Sequence, residues 1–238
     1  TELLAITSDP DEAARAPMGD AILADVAMTL RALVEALGED CERELPAPRE
    51  AAPEPEQSDP LAPAAVHATL AELFPQDGIV VLESPSSTPA MRSQLRLSSP
   101  GSYYFSAGGG LGFGLAASLG VQLAEPERQV VCVLGEGSAQ YAITAFWSAC
   151  AYSIPVKFLV LRNSEYSILK WFSTLENVNG APGLDLPQLD VAATAQSYGV
   201  PSETVAGREQ LHNALGEAFS QAGPRLVQVD VAPGMALA

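Results

Sequence analysis

The sequence has few basic residues, few cysteines and no long apolar run. Only 12 Lys and Arg oppose 29 Asp and Glu among 238 residues, so the formal net charge is −17. Such a surface repels a phosphate backbone, which argues against nucleic acid as a partner. No apolar run reaches the roughly 18 residues that a membrane-spanning helix needs, and the N-terminus lacks the pattern of a secretory signal. We therefore expect a cytoplasmic protein with no membrane or nucleic-acid partner.

The cysteines and histidines are also too few to make a metal cluster. Cys41, Cys132 and Cys150 are odd in number and irregular in spacing. Disulfide scaffolds and zinc sites use regular cysteine pairs, so we expect reduced thiols, as in a cytoplasmic protein. The two histidines, His67 and His212, fall in predicted surface helices, and we expect neither to be catalytic.

The composition divides the chain into three parts. Residues 1–38 hold two short apolar runs and one helical pattern that ends at Gly38. This is too little for a separate core, and we interpret it as the C-terminal remnant of a preceding domain. Residues 39–62 hold five prolines and eight acidic residues, a composition typical of an extended, solvated linker. Residues 63–238 are expected to form the main domain.

From residue 63 onward, apolar strands alternate with helical segments. Strands are predicted at 79–82, 130–134, 156–161 and 226–231, and helices at 63–74, 111–124, 141–152, 189–198 and 209–222. This alternation indicates βαβ units, and hence an α/β fold with a parallel sheet covered by helices on both faces. Ligands of such sheets bind at the carboxyl ends of the strands, so we expect the chemistry in the loops that follow them.

Two of these loops are suited to a phosphorylated ligand. Residues 83–87, Glu-Ser-Pro-Ser-Ser, offer hydroxyl and N–H groups between a strand and a helix. Residues 108–114 are rich in glycine, which allows the backbone to approach a ligand closely. The same stretch meets a loose dinucleotide fingerprint, Gly112-x-Gly114-x-x-Ala117, so a Rossmann domain stays open as an alternative. No Gly-Lys-Ser/Thr follows, which excludes a Walker-type phosphate loop.

The third loop predicts a cation site. Gly135-Glu136-Gly137-Ser138 ends one strand, and 24 residues separate Gly137 from Arg162-Asn163. One helix and one strand fill this interval, which places Glu136 and Asn163 at the ends of two parallel strands on one edge of the sheet. A carboxylate beside an amide oxygen suits Mg²⁺ or Ca²⁺. A bound cation would also offset the negative charge of the chain near a diphosphate.

At these residues the sequence resembles the thiamine-diphosphate-dependent decarboxylases, whose signature joins Gly-Asp-Gly to Asn-Asn over a similar interval. The likeness is greatest to the benzoylformate decarboxylases and covers nearly the whole chain. The segments with this likeness are 13–21, 101–105, 120–130, 182–185, Tyr166 and Trp171-Phe172.

The resemblance implies that residues 63–238 form a domain that binds thiamine diphosphate, preceded by the tail of a Rossmann-like central domain. It implies that Glu136, Asn163 and the backbone carbonyl of Glu165 hold Mg²⁺ or Ca²⁺. The cofactor-binding residues it implies are Ser86, Ser87, Gly109, Gly110, Leu111, Gly135, Gly137, Ser138 and Tyr166. The substrate pocket it implies is formed by Ile168, Leu169 and Phe172.

The activity implied by the resemblance is the non-oxidative decarboxylation of an aromatic 2-keto acid to an aldehyde and carbon dioxide. Such enzymes are homo-oligomers, here expected as a dimer or tetramer. The glutamate that activates the cofactor in this family lies on a separate N-terminal domain. We therefore assign no catalytic residue to this chain and expect it to be inactive alone. An acetolactate-synthase-type carboligase and a non-catalytic relic of the fold remain alternatives.

Four positions depart from the family pattern. Glu136 stands where the family has Asp, which lengthens the metal ligand by one methylene. Arg162 replaces the first Asn, and its guanidinium could compete with the cation or bind a phosphate. Pro85 replaces a residue with a hydroxyl group, and Ile168 is larger than the usual residue, which would narrow the pocket.

Overall fold

The chain folds into two units, Thr1–Glu50 and Ala51–Ala238. The computed structural model describes residues 3–16, 19–38, 47, 50–178 and 180–236. Cys41 and most of the first half of the predicted linker, 39–46 and 48–49, lie outside the described residues. The predicted three-part division of the chain remains a prediction.

The first unit is a small βαβ arrangement followed by a helix. Its elements are β1 (Leu4–Thr7), α1 (Pro10–Ala14), β2 (Asp20–Leu23) and α2 (Val26–Leu37). Strands β1 and β2 pair in parallel. Asp9 and Asp25 cap the two helices, because their carboxylates accept hydrogen bonds from N–H groups of the first turn. No described residue of this unit is buried, so these elements form no core of their own.

A six-stranded sheet forms the centre of the second unit. Its strands are β3 (Ile79–Glu83), β4 (Tyr103–Phe105), β5 (Val130–Gly135), β6 (Lys157–Arg162), β7 (Ser202–Val205) and β8 (Arg225–Asp230). Their order is β4-β3-β5-β6-β8-β7, and every pair is parallel. The α/β fold with a parallel sheet is therefore confirmed.

Helices cover both faces of this sheet. They are α3 (Pro63–Leu73), α4 (Thr88–Gln94), α5 (Gly114–Ala124), α6 (Glu136–Ala139), α7 (Ala145–Ala151), α8 (Ser167–Leu175), α9 (Val191–Ser197) and α10 (Arg208–Ser220). Alternate residues of the strands point to opposite faces, and two apolar cores result. One core contains α3, α4 and α10, and the other contains α5, α7 and α9.

Several elements differ from the prediction. The edge strands β4 and β7 were not among the predicted elements, and no bounds were predicted for the helices α4 and α8. The helix predicted at 141–152 begins with a 3₁₀ turn, Gln140–Ala142, and continues as α7 only from Ala145. Edge strands are short and partly exposed, so they lack the apolar run that marks the central strands.

The end of the predicted linker contacts the second unit, although most of residues 51–62 are exposed. Leu61 is 6% exposed, pairs with Val231 and accepts a hydrogen bond from the N–H of Ala232 at 2.9 Å. Glu54 forms an ion pair with Arg208 of α10. The contacts thus group residues 51–62 with the second unit, while the predicted domain boundaries remain predictions.

The prediction that His67 lies on the surface is wrong. Its side chain is completely buried, and neither ring nitrogen has a hydrogen-bond partner. Burial lowers the pKa of His67 to about 3, because a charged imidazole would lose its hydration. The reason is that α3 packs against both α4 and α10. His212, by contrast, has a half-exposed side chain.

Cys132 is buried and Cys150 is half-buried, and both are free thiols. Among the helices of the described residues, none is both long enough and apolar enough to span a bilayer.

Candidate cofactor and metal site

The carboxyl ends of β3, β5 and β6 open into one cavity of about 340 Å³. Nearly all the predicted site residues line it: Ser86, Ser87, Gly109, Leu111, Gly135, Glu136, Gly137, Ser138, Asn163, Glu165, Tyr166, Ile168, Leu169 and Phe172. Gly110 does not line this cavity and instead borders a neighbouring one of about 210 Å³. The individual roles of these residues remain predictions.

Glu136 lies between the ends of β5 and β6. It is 2% exposed, and its Oε1 accepts hydrogen bonds from the N–H groups of Asn163 at 3.1 Å and Ser164 at 2.6 Å. Both of these bonds end on Oε1, so Oε2 is the oxygen that we propose for a further ligand. Burial raises the pKa of Glu136, although backbone N–H groups oppose the shift. A nearby cation would favour the charged form of this carboxyl group.

The side chain of Asn163 is held within its own loop. Its Oδ1 accepts from the N–H of Glu165 at 3.1 Å, and its Nδ2 donates to Oγ of Ser167 at 2.7 Å. Ser167 in turn donates to Oε1 of Glu165 at 2.6 Å. Burial acts against ionisation of Glu165, but hydrogen bonds from Lys170 and Ser167 leave its pKa lowered overall.

Tyr166 packs so closely on Gly137 that no side chain fits there. A Cβ atom on Gly137 would lie 2.4 Å from Cε1 of Tyr166 and 2.9 Å from Cδ1 of Leu186. The backbone of Tyr166 is fixed by a hydrogen bond from its N–H to the carbonyl of Leu184 at 2.8 Å. Glycine at 137 therefore allows the loop after β6 to close against the loop after β5.

Glu83, the last residue of β3, binds the glycine-rich loop. Its Oε1 accepts from the N–H groups of Gly112 and Phe113, and its Oε2 accepts from that of Gly114 at 2.7 Å. A Rossmann domain would offer N–H groups at this helix start to a pyrophosphate. Here a carboxylate of the protein occupies them, so the dinucleotide alternative is wrong for a physical reason. The sequence pattern did not indicate this role for Glu83.

The serine-rich loop after β3 forms a 3₁₀ turn, Pro85–Ser87. Ser84 and Ser87 are buried and their Oγ atoms lie 2.8 Å apart. Pro85 occupies the first position of the turn, where a missing N–H costs little. The carbonyl of Ser86 accepts from the N–H of Ala236 at 2.9 Å, while Ser86 also borders the cavity.

Arg162 does not reach toward the cation position. Its Nε and Nη2 bond the two carboxylate oxygens of Asp230, its partner on β8, at 2.5 and 2.9 Å. It borders a different cavity of about 500 Å³. The expectation that Arg162 competes with a cation or binds a phosphate is therefore wrong, because a bidentate ion pair already occupies the guanidinium.

Within the part of the chain that the structure describes, no three His, Cys, Asp or Glu side chains are grouped as a metal cluster. A cation at this edge would therefore depend on one carboxylate together with amide and backbone oxygens. Such a ligand set suits hard cations that keep some of their water, as Mg²⁺ does.

Comparison with known proteins assigns the family. The sequence profile described as thiamine pyrophosphate enzyme, C-terminal TPP binding domain, matches residues 86–229. The chain belongs to the thiamine pyrophosphate enzymes. The cofactors of this family, thiamine pyrophosphate (thiamine diphosphate) and a divalent cation, are therefore those of this domain.

The chain is similar to benzoylformate decarboxylases over almost its whole length. It is 47% identical over 232 residues to benzoylformate decarboxylase of Pseudomonas aeruginosa, which covers 96% of this chain and 43% of that protein. It also matches the structure of the thiamine diphosphate-dependent 4-hydroxybenzoylformate decarboxylase of Rhodococcus jostii RHA1. That match has a TM-score of 0.91 and 41% identity, and it covers 99% of this chain and 45% of that one.

A weaker likeness leads to the acetolactate synthases. The large subunit from Haemophilus influenzae is 39% identical over 124 residues, which is 52% of this chain and 22% of that protein. The present chain spans less than half the length of each of these relatives.

The residues at the cavity fit the cofactors of the family. Glu136 is one methylene longer than the family's Asp, and its carboxylate reaches the N–H groups of the loop after β6. Its carboxylate and the amide of Asn163 contain hard oxygen atoms of the kind that a divalent cation prefers. The residues that line the cavity include no Lys, Arg or His, so a diphosphate there would need the cation to offset its charge.

Proposed function

We propose that the chain is the C-terminal cofactor-binding part of a thiamine-diphosphate-dependent decarboxylase for an aromatic 2-keto acid such as benzoylformate. The products would be an aldehyde and carbon dioxide. The observation on which the proposal depends is the position of Glu136. Its buried carboxylate is fixed by the loop after β6, at the edge of a cavity with an apolar far wall. The likeness to benzoylformate decarboxylases over nearly the whole chain supports the same reaction.

In this proposal, each loop has a separate task. Glu136, Asn163 and the carbonyl of Glu165 hold the cation that neutralises the diphosphate. Ser86 and Ser87, at the start of α4, lie beside the diphosphate. Gly109, Leu111 and Tyr166 border the rest of the cofactor. Gly109 has φ of 70°, a conformation that favours glycine.

The substrate would lie against α8. Ile168, Leu169 and Phe172 present apolar groups to the cavity, and Leu169 and Phe172 are 46% and 49% exposed. An aromatic ring that packs there would remove these groups from water, which favours an aromatic acid over a small one. The apolar wall would also exclude water from the reacting carbon.

When bound, thiamine diphosphate supplies the electron sink that lets a 2-keto acid lose carbon dioxide. The chain's own residues bind the cofactor, orient it and shield it. The group that activates the cofactor is expected on another domain. We also propose a homo-oligomer, and a location in the cytoplasm remains a prediction.

The test is the Mg²⁺ dependence of thiamine diphosphate binding, measured by calorimetry on the chain. We expect binding that weakens strongly in EDTA, because the cation bridges the diphosphate to a carboxylate that would otherwise repel it. Glu136→Ala should abolish the Mg²⁺ dependence, and Glu136→Asp should keep it. Glu176→Ala, at the exposed end of α8, is the matched control and should behave as the wild type.

Three results would contradict the proposal. Binding that survives EDTA unchanged in the wild type would exclude the cation site. Binding of NAD but not of thiamine diphosphate would favour a dinucleotide-binding domain. Binding of neither would indicate a relic. Turnover of benzoylformate by the chain alone would contradict the prediction that the activating group lies elsewhere.

A further inference from the structure

Ser167, the first residue of α8, lies behind the proposed cation site and is 2% exposed. Its hydroxyl donates to Oε1 of Glu165 at 2.6 Å and accepts from Nδ2 of Asn163 at 2.7 Å. It also accepts from the N–H of Gly234 at 3.3 Å. A serine hydroxyl has one proton and two lone pairs, so these three bonds use its whole capacity.

The direction of each bond follows from the charge on Glu165. Lys170 lies 2.5 Å from Oε2 of Glu165 and 2.6 Å from Oδ1 of Asp185, so the carboxylate at 165 is paired and can only accept. The single proton of Ser167 must then go to Glu165. As a result, Ser167 can only accept from Asn163, whose side chain must present its NH₂ group.

This bond and the hydrogen bond from the N–H of Glu165 together set the orientation of the amide. With Nδ2 bound to Ser167, Oδ1 of Asn163 lies on the other side and accepts only one hydrogen bond, from the N–H of Glu165 at 3.1 Å. One lone pair of Oδ1 remains for a ligand. In the flipped state Asn163 would offer N–H groups to the cation, which would repel it.

We infer that Ser167, held by Glu165 and Lys170, is a positioning residue that sets the Asn163 amide with its oxygen toward the cation. The inference rests on the proposed cation site and adds a group outside the metal ligands themselves. Partners of this kind commonly change metal affinity by roughly 10- to 100-fold when they are removed.

The test is a titration of Mg²⁺ into the chain at saturating thiamine diphosphate, with the dissociation constant of the cation as readout. Ser167→Ala should weaken Mg²⁺ binding by about tenfold, because the amide then keeps only the N–H of Glu165 to set its orientation. Lys170→Met should weaken it in the same direction by a smaller factor. Thr174→Ala, which removes a hydroxyl bonded only to the carbonyl of Lys170 on the same helix, is the control and should have no effect.

The decisive comparison is a double-mutant cycle with Asn163→Asp. A carboxylate has oxygens on both sides, so its orientation needs no positioning partner. In this background Ser167→Ala should change Mg²⁺ affinity by less than about twofold. An equal loss in both backgrounds would mean that Ser167 only supports the local structure, and the inference would be wrong.

Two further variants keep the test decisive. Ser167→Thr keeps the hydroxyl and should bind Mg²⁺ within about twofold of the wild type. If Ser167→Thr loses as much Mg²⁺ affinity as Ser167→Ala, the inference is wrong. This test applies even if Asn163→Asp binds no cation and the double-mutant cycle gives no result. If Glu136→Ala removes the Mg²⁺ dependence while Ser167→Ala leaves the affinity unchanged, the inference is wrong and the proposed function stands. If neither variant has an effect, the proposed cation site and the inference are both wrong.

Discussion

Two buried glutamates at the ends of neighbouring strands differ in the hydrogen bonds that their carboxylate oxygens accept. Glu83 ends β3, and both of its oxygens accept backbone N–H groups of the glycine-rich loop. Glu136 follows β5, and its Oε1 accepts hydrogen bonds from the N–H groups of Asn163 and Ser164 in the loop after β6. A carboxylate with both oxygens engaged acts as part of the loop structure. A carboxylate with one oxygen engaged is held in position and can still bind a ligand.

Both carboxyl groups have a raised pKa because burial disfavours the charged form. At both residues, hydrogen bonds from backbone N–H groups favour the charged form and partly offset this effect of burial. At Glu83 these come from the glycine-rich loop, and at Glu136 they include the N–H groups of Asn163 and Ser164. In the proposed site, a cation would add to them at Glu136 only. The following predictions test this difference, from the largest expected effect to the smallest.

The largest effect should follow removal of the carboxylate at 83. Glu83→Ala leaves the N–H groups of Gly112, Phe113 and Gly114 without their acceptor next to the core. We expect the free energy of unfolding to fall by about 3 kcal/mol, measured by urea denaturation. Glu83→Gln, which keeps one acceptor oxygen, should lose clearly less. A loss below about 1 kcal/mol for the alanine variant would show that Glu83 is not structural.

A buried titratable group with no partner at all extends the comparison. The pKa of His67 is lowered to about 3 from an ordinary value of 6.5. Between these two pH values, His67 binds a proton in the unfolded chain but stays neutral in the folded chain. Stability should fall with acidification by up to about 1.4 kcal/mol per pH unit in this window. His67→Leu should therefore gain about 2 kcal/mol relative to the wild type between pH 7 and pH 5.

The control for this measurement is His212→Gln, which changes a half-exposed histidine on α10. It should leave the dependence of stability on pH close to that of the wild type. Equal slopes for His67→Leu and the wild type would mean that His67 is protonated in the folded protein.

The smallest effect is expected at Glu136. Its pKa is raised from the ordinary 4.5, so the folded state favours the protonated form, and stability is lost as the pH rises from 4.5 through the folded pKa. Glu136→Gln removes this loss and should be more stable than the wild type at neutral pH. Thermal unfolding from pH 4 to pH 8 measures the difference in stability between Glu136→Gln and the wild type. This difference should increase with pH.

Addition of Mg²⁺ and thiamine diphosphate should reverse the order of stability at neutral pH, because the ligands stabilise only the wild type. If Glu136→Gln is less stable than the wild type without ligands, Glu136 is a structural carboxylate like Glu83.

The central sheet could be predicted because β3, β5, β6 and β8 are buried on both faces. Such strands read as continuous apolar runs bounded by turns. The edge strands β4 and β7 have partly exposed residues and no comparable run, so local sequence does not mark them. The burial of His67 could also have been predicted from the sequence. Helix α3 is apolar on nearly all sides, and such helices lie inside a protein and not on its surface.

The site was predictable only to the level of its loops. The interval from Gly137 to Asn163 fixes which strand ends meet, because one helix and one strand fill it. Which group each charged side chain contacts depends on the tertiary structure and not on the local sequence. Glycines at 112 and 114 suit a pyrophosphate or a protein carboxylate equally well, and only the position of Glu83 decides. The pairing of Arg162 with Asp230 likewise needs the register of β6 and β8, which no local pattern encodes.

Because Glu83 already occupies the start of α5, the cavity offers a diphosphate little positive charge of its own. Among the described residues, two carboxylates, Glu136 and Glu165, border it, and no basic side chain does. Anion and cation must therefore bind cooperatively, and linkage makes the coupling reciprocal. Whatever factor Mg²⁺ adds to the affinity for the diphosphate, the diphosphate adds to the affinity for Mg²⁺. The site would thus discriminate against either ion alone and respond to the pair.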